Sequence, residues 1–325
     1  MNATAPLILV THQLLPPTLE QLKALGEVRD IGVEGLRKGH PDLAQADALV
    51  CLLDDIVDES VLARLPRLRV IANYAVGVNN IDLGCAERQG IHVTNTPDVL
   101  TDSTADMAFA LMLSAARRVP EGERLVRSGA FRGWELDLLL GVDLHHKTLG
   151  IVGYGRIGRA VARRAHGFDM QVLYTVGPGD NVEALEGDRE VDLETLLRHS
   201  DFVSLHVPLT EETYHLIHAD NLKWMKRNAV LVNTSRGPVI DEEALTDALV
   251  RRWIAAAGLD VYEQEPDIDP RLLGLDNVVL VPHLGSATRE TRLAMGDRVV
   301  DNVARVLRGE APANPVNKPE KPRRG

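Results

Sequence analysis

The sequence predicts an α/β protein with two doubly wound parallel sheets. Three observations carry that reading. Short aliphatic and β-branched runs alternate with helix-like stretches along the whole chain, the rhythm of parallel strands joined by crossover helices. The 325 residues leave room for two domains, at about 100–200 residues each. The strand-like runs also fall into two series, separated by a long helical stretch that begins near Thr101.

In the first series the strands are "LILVTH" (7–12), "ALVCLL" (48–53), "RVIANY" (69–74) and "IHVTN" (91–95). Helix-like stretches lie between them at 17–26, 59–65 and 85–90, so residues 1–101 form a small doubly wound, flavodoxin-like unit. The long helix "DSTADMAFALMLSAARRV" follows, with Asp102 or Ser103 as its expected cap. The second series is "TLGIVG" (148–153), "QVLYT" (171–175), "DFVSLHV" (201–207), "AVLVNTS" (229–235), "AAAGLDV" (255–261) and "NVVLVPH" (277–283). Six strands with intervening helices match a Rossmann dinucleotide-binding domain, expected over 102–288. A final amphipathic helix places Arg292, Gly296, Val299, Val303 and Val306 at spacings of four or three. Its return to the first domain would make 1–101 and 289–325 one discontinuous unit, with the tail "KPEKPRRG" solvated.

Composition narrows the function classes. A net charge of −11 provides no field for nucleic acid or an anionic membrane surface, and the arginines of "EGERLVRSGAFR" (121–132) alternate with acids as on a solvated face. The two cysteines, Cys51 and Cys85, stand in apolar surroundings and make no disulfide framework, which points to a reducing compartment. No basic leader precedes "LILV", and no apolar run approaches the ~20 residues that span a bilayer, so a cytoplasmic protein is expected. His145-His146 and His215-x-x-His218 are the close histidine pairs; neither has neighbours spaced as in a zinc site, and no metal is expected.

"LGIVGYGRIGRAVARRA" (149–165) holds the sharpest local motif. Gly153, Gly155 and Gly158 form G-x-G-x-x-G where a strand ends and a helix begins. Such glycines make the tight turn, admit a pyrophosphate to the backbone and let helix and strand pack closely, while the helix N-terminus offers N–H donors. The acid that usually holds a ribose should end the next strand, yet Val176 stands there, 18 residues after Gly158. Residues 176–182, "VGPGDNV", also lack the Arg expected for a 2′-phosphate, and Asp180 comes four residues late. Val176 and Pro178 would form a plain adenosine wall, which leaves NAD and NADP both open.

Three more segments place ionisable residues at the carboxyl ends of predicted strands: "NTSRGPVID" (233–241), "GLDVYEQEP" (258–266) and "VPHLGSAT" (281–288). With "NYAVGVNNID" (73–82), the glycine loop and "NPVN" (314–317), they make the chain resemble the D-isomer-specific 2-hydroxyacid dehydrogenases, particularly the glyoxylate/hydroxypyruvate reductase branch, over nearly its whole length. The separations of 29 residues from Arg236 to Glu265 and 18 from Glu265 to His283 look like those of that family.

That resemblance implies reduction of a 2-oxo acid by NAD(P)H in a cleft between two domains. His283 would be the general acid, Glu265 would hydrogen-bond its far ring nitrogen and raise its pKa, and Arg236 would grip the substrate carboxylate and polarise the carbonyl. The backbone N–H groups of Val76 and Gly77 would hold the carboxylate from the other domain. Asp260 would face the nicotinamide carboxamide, and Thr104 would supply a hydroxyl to the nucleotide. The expected cofactor contacts also include Gly153, Gly155, Arg156, Ile157, Gly158, Thr175, Val176, His206, Val207, Pro208, Thr213, Thr234, Ser235, Arg236, His283 and Gly285.

Departures from neighbouring branches narrow the substrate. Phosphite dehydrogenases carry Lys where Val76 stands, formate dehydrogenases carry Gln in place of Glu265, and phosphoglycerate dehydrogenases commonly have Arg at Asn73. A small unphosphorylated acid such as glyoxylate or hydroxypyruvate fits best. In 131–148 some members have Pro at Leu136 and Trp at Leu138, so a leucine-lined site could admit a larger side chain, whereas Trp134 suits dimer packing. The family implies a homodimer built on 101–148. A dinucleotide-sensing regulator resembling the family's corepressors is the alternative, although those generally carry long disordered extensions.

Overall fold

A computed structural model describes residues 5–177 and 182–323. The chain divides into two compact units: one takes the chain up to Leu100 and from Thr288 onward, and the other is Thr101–Ala287.

The first unit contains β1 (Leu7–Val10), α1 (Pro16–Lys23), β2 (Glu27–Asp30), α2 (Gly32–Lys38), β3 (Ala48–Cys51), α3 (Glu59–Leu62), β4 (Val70–Asn73), α4 (Leu83–Arg88) and β5 (His92–Thr94). All five strands are parallel, in the order β2-β1-β3-β4-β5, the flavodoxin-like winding. Strands covered on both faces appear as unbroken apolar runs. Leu9, Leu49 and Ile71 pack with Leu36, Leu62 and Cys85, whereas Ile8, Val10, Val50 and Val70 pack with Leu22, Met295, Val299 and Val303.

The second unit contains α5 (Thr101–Ala116), α6 (Val119–Arg127), β6 (Thr148–Val152), α7 (Arg156–His166), β7 (Gln171–Thr175), β8 (Arg189–Glu190), α8 (Leu193–His199), β9 (Phe202–Leu205), α9 (Ala219–Leu222), β10 (Val230–Asn233), α10 (Glu242–Val250), β11 (Ala256–Leu259), α11 (Pro270–Leu273) and β12 (Val278–Leu280). Its sheet order, β12-β11-β10-β9-β6-β7-β8, is the doubly wound Rossmann order with one further strand. α5 and α7 cover one face through Ala108, Met112 and Val161, and α8 and α10 cover the other through Leu196, Leu245 and Leu249. The last helix, α12 (Arg289–Leu307), is capped by the Thr288 hydroxyl and belongs to the first unit.

Several expectations need correction. Apart from β7, which ends at Thr175 as expected, the predicted strands end one to three residues before the predicted runs do, because the chain leaves the sheet there for the loops that carry the site. Two strands escaped prediction: "EVRD" of β2 and "RE" of β8 are mostly polar edge pieces paired to one neighbouring strand each, with Val28 of β2 packed on the core. α5 begins at Thr101, so Asp102 and Ser103 lie inside its first turn rather than at its cap. The described part of the tail, up to Arg323, is exposed along most of its length, as expected, but it is tethered to the first unit. Asn317 bonds Val93 and Ile91, and the Arg323 guanidinium donates to the Leu65 and Leu68 carbonyls.

Candidate active site

The carboxyl ends of β10, β11 and β12 hold the ionisable residues that the sequence singled out. After β11, Asp260 is almost wholly buried. Its carboxylate accepts the amides of Leu284 at 2.5 Å and Gly285 at 2.8 Å, and its carbonyl accepts the His283 amide at 2.9 Å. Those bonds hold His283 at φ +54°, a left-handed conformation uncommon for a side chain of this size. Burial pushes the Asp260 carboxyl above its ordinary range, against the pull of the two amides and the nearby His283. Thr104 on α5 donates to the Gly285 carbonyl at 3.3 Å and closes the turn from the other side.

His283 meets Glu265 directly, Nδ1 to Oε2, at 2.9 Å. The other carboxylate oxygen of Glu265 accepts the Tyr262 amide at 2.9 Å. Burial alone would raise this carboxyl; the His283 bond, the Tyr262 amide and the charges of His283 and Arg236 outweigh it and hold the group below the usual range. Glu265 is therefore an anion at neutral pH, and it leaves Nε2 as the imidazole nitrogen directed to other partners.

Arg236 follows β10 in a turn built by Asn233. The Asn233 Nδ2 donates to the Arg236 carbonyl at 2.9 Å, and its Oδ1 accepts the Ser235 amide and hydroxyl. The Arg236 Nη1 donates to the Ser235 carbonyl at 2.7 Å. Neither Asn233 nor Tyr262 was singled out from sequence, though both lie inside quoted motifs; their roles come from backbone contacts that no residue spacing encodes.

The glycine loop shows three different demands. Gly153 has φ +94°, and a Cβ there would lie 2.8 Å from the His206 backbone, where β6 and β9 meet and the strand order reverses. Gly158 faces the Gly153 carbonyl so closely that a Cβ would be 2.2 Å from its oxygen. Among the described residues nothing lies within 4 Å of a Cβ placed on Gly155, and this glycine precedes α7 with no side-chain cap. The Thr234 hydroxyl is buried with no hydrogen-bond partner among the described residues. An open glycine, an uncapped helix N-terminus and an orphaned hydroxyl fit a dinucleotide pyrophosphate and its nicotinamide half.

The remaining expected contacts vary. Thr175 accepts the Gly153 and Tyr154 amides through its carbonyl, and Ile157 and Val176 pack on the core. His206 is partly exposed as a residue, but its ring is desolvated; burial pushes it down to about 3, and Nε2 lies 2.8 Å from the Ser204 hydroxyl. The Thr213 hydroxyl accepts the Thr210 amide and donates to the Pro208 carbonyl, so it stitches its own turn beside Val207. Arg156 begins α7. Pro178 and Asp180 lie outside the described residues. In the other unit, Asn95 and Asn73 donate to the carbonyls of Val76 and Gly77, both at 2.8 Å, which fixes the peptide planes of that loop. His215 pairs with Glu263, and His218 caps α9.

Comparison with known proteins adds three findings. Residues 109–285 match the family model described as D-isomer specific 2-hydroxyacid dehydrogenase, NAD binding domain. A glyoxylate reductase of Thermococcus litoralis is 53% identical over 281 residues, 84% of each chain, and one from Korarchaeum cryptofilum is 55% identical over 278 residues, 83% of this chain and 82% of that one. The solved structure of an NADPH-dependent glyoxylate/hydroxypyruvate reductase from Sinorhizobium meliloti, in complex with NADP and malonate, superposes with a TM-score of 0.87 at 35% identity, covering 99% of both chains.

Proposed function

The chain belongs to the D-isomer-specific 2-hydroxyacid dehydrogenases, and from that premise we propose that it reduces glyoxylate or hydroxypyruvate, small unphosphorylated 2-oxo acids, to the corresponding D-2-hydroxy acid. The observation that carries this reading is the Glu265–His283 pair at 2.9 Å, in the same unit as Arg236 and an open glycine loop. When bound, NAD(P)H supplies the hydride that adds to C2 of the substrate. His283 donates a proton from Nε2 to the carbonyl oxygen as negative charge develops there, and regains it from solvent. Glu265 fixes the ring orientation from Nδ1 and stabilises the imidazolium. Arg236 binds the substrate carboxylate through its planar fork and polarises the adjacent carbonyl. The amides of Val76 and Gly77 are assigned to the carboxylate as well.

Thr175 ends β7 and Val176 follows it, with neither a carboxylate for ribose hydroxyls nor a cation for a 2′-phosphate, so the dinucleotide is NAD(H) or NADP(H). Nothing in the site favours a sensing regulator. We assign the working form to a homodimer: α6 buries no residue, and Val119, Val126, Phe131, Trp134, Leu136 and Leu140 within residues 119–140 are all exposed apolar side chains. Light scattering should give twice 35.6 kDa. Two buried free thiols, Cys51 and Cys85, suit a reducing, cytoplasmic setting. The function is tested by dinucleotide oxidation with glyoxylate and hydroxypyruvate, each against NADH and NADPH. Turnover at ~1–10³ s⁻¹ with at least one pair supports the reading; binding of dinucleotide without turnover contradicts it.

A further inference from the structure

Glu263 lies two residues before Glu265, on the same loop, and the mechanism does not use it. Its Oε1 is 2.9 Å from the His215 Nε2, and its Oε2 accepts the Glu242 amide at 3.1 Å. Glu242 returns the contact: its Oε2 accepts the Glu263 amide at 3.0 Å and its Oε1 the Asp269 amide at 3.3 Å. The loop is thus pinned to the start of α10 on both sides of Glu265. α10 begins six residues after Arg236, so the same clamp ties the two catalytic segments together. They also touch directly, because a Cβ on Gly237 would overlap the Tyr262 carbonyl carbon at 1.9 Å. His215 completes the brace. Its amide donates to the Pro238 carbonyl at 2.8 Å, and its ring stacks on Tyr214 with centroids 4.0 Å apart.

We propose that Glu263, braced by His215 and Glu242, is a positioning residue that sets the reach of Glu265 to His283 and the spacing of that pair from Arg236. The proposal rests on the reductase reading above. Its physical basis is that reciprocal carboxylate-to-amide bonds fix a loop in two directions, and that a misplacement of about 1 Å at reacting groups costs on the order of 100-fold in rate. Glu263 acts through Glu265, its own carboxylate being engaged by the His215 ring and the Glu242 amide.

The test compares full-length wild type with Glu263→Ala, Glu263→Gln and His215→Gln. Glu263→Ala should lower kcat with glyoxylate by about 10- to 100-fold, shift the basic limb of the pH–rate profile to lower pH, and leave dinucleotide affinity unchanged. Glu263→Gln keeps an acceptor for the Glu242 amide and should recover most of kcat, with His215→Gln between the two. A second readout needs no turnover: in an NMR titration, the His283 ring should titrate at lower pH in Glu263→Ala than in wild type. A wild-type kcat, pH profile and His283 titration in folded Glu263→Ala would overturn the positioning role, even with a lower Tm. If Glu263→Ala fails to fold, an unaltered profile and titration in His215→Gln would overturn it equally. An idle wild type would contradict the reductase reading alone, and the NMR titration would still decide the brace.

Discussion

His283 occupies a backbone conformation that its neighbours must enforce. A left-handed residue other than glycine costs about 1–3 kcal/mol, and here the Asp260 carbonyl and carboxylate hold three successive amides to keep it. Asp260 therefore acts first on the shape of the catalytic turn; the nicotinamide contact assigned to it from family resemblance would use whatever acceptor capacity remains. Glu265 is the complementary case, a partly buried carboxyl held ionised by one imidazole, one amide and a nearby guanidinium. Replacing it with Gln removes the charge that favours the imidazolium but keeps the shape. Glu265→Gln should lower kcat by about 10²–10⁴-fold and move the basic limb of the pH–rate profile to lower pH. A profile superimposable on wild type would show that the carboxylate only orients the ring.

At the scale of elements, the glycine loop separates folding from binding within one motif. Gly155→Val places a side chain in open space, so it should leave Tm near wild type and weaken dinucleotide binding at least tenfold, about 1.4 kcal/mol. Gly158→Ala drives a methyl group into the Gly153 carbonyl and should destabilise the unit by about 1–3 kcal/mol. Thermal melts and dinucleotide titrations on both variants check the pair; loss of stability in the first with none in the second would reverse these roles. The same loop explains what was legible in the sequence. Its glycines, and apolar runs such as "VLVN" that are buried on both faces, carry their structural demand in residue type. β2 and β8 do not, because a polar edge strand is defined by its neighbour's backbone, and the run-on predictions past Leu205 and Leu280 arose where apolar residues continue after pairing stops. The Arg236, Glu265 and His283 segments were found through their order and spacing. Asn233, Glu242 and Glu263, which hold them in place, were not: their contacts join segments whose adjacency exists only in the fold.

For the whole molecule, several native contacts depend on groups that lose their favourable state in acid. His206 titrates down to about 3 in the fold against an ordinary 6.5, so the native state binds fewer protons than the unfolded chain between those values. Stability from this group is complete above about pH 6.5 and is lost as pH falls toward 3, by at most about 1.4 kcal/mol per pH unit. Asp201 contributes with the same sign. Burial raises its carboxyl, but Lys226 and the Thr148 amide more than offset that and lower it, so its contribution is present above the ordinary carboxylate range and is lost as pH falls through the lowered value. Urea unfolding at pH 7 and pH 4.5 should therefore show a steeper loss for wild type than for His206→Asn; equal losses would contradict the buried neutral imidazole. These effects concern stability, whereas the chemistry rests on one proton donor. The most direct measurement is steady-state reduction of glyoxylate and hydroxypyruvate by wild type and His283→Gln, with dinucleotide affinity measured on the same preparations. The account predicts turnover in wild type, loss of at least about 10²-fold in His283→Gln, and dinucleotide binding that survives the substitution. Near-normal turnover in His283→Gln would contradict it.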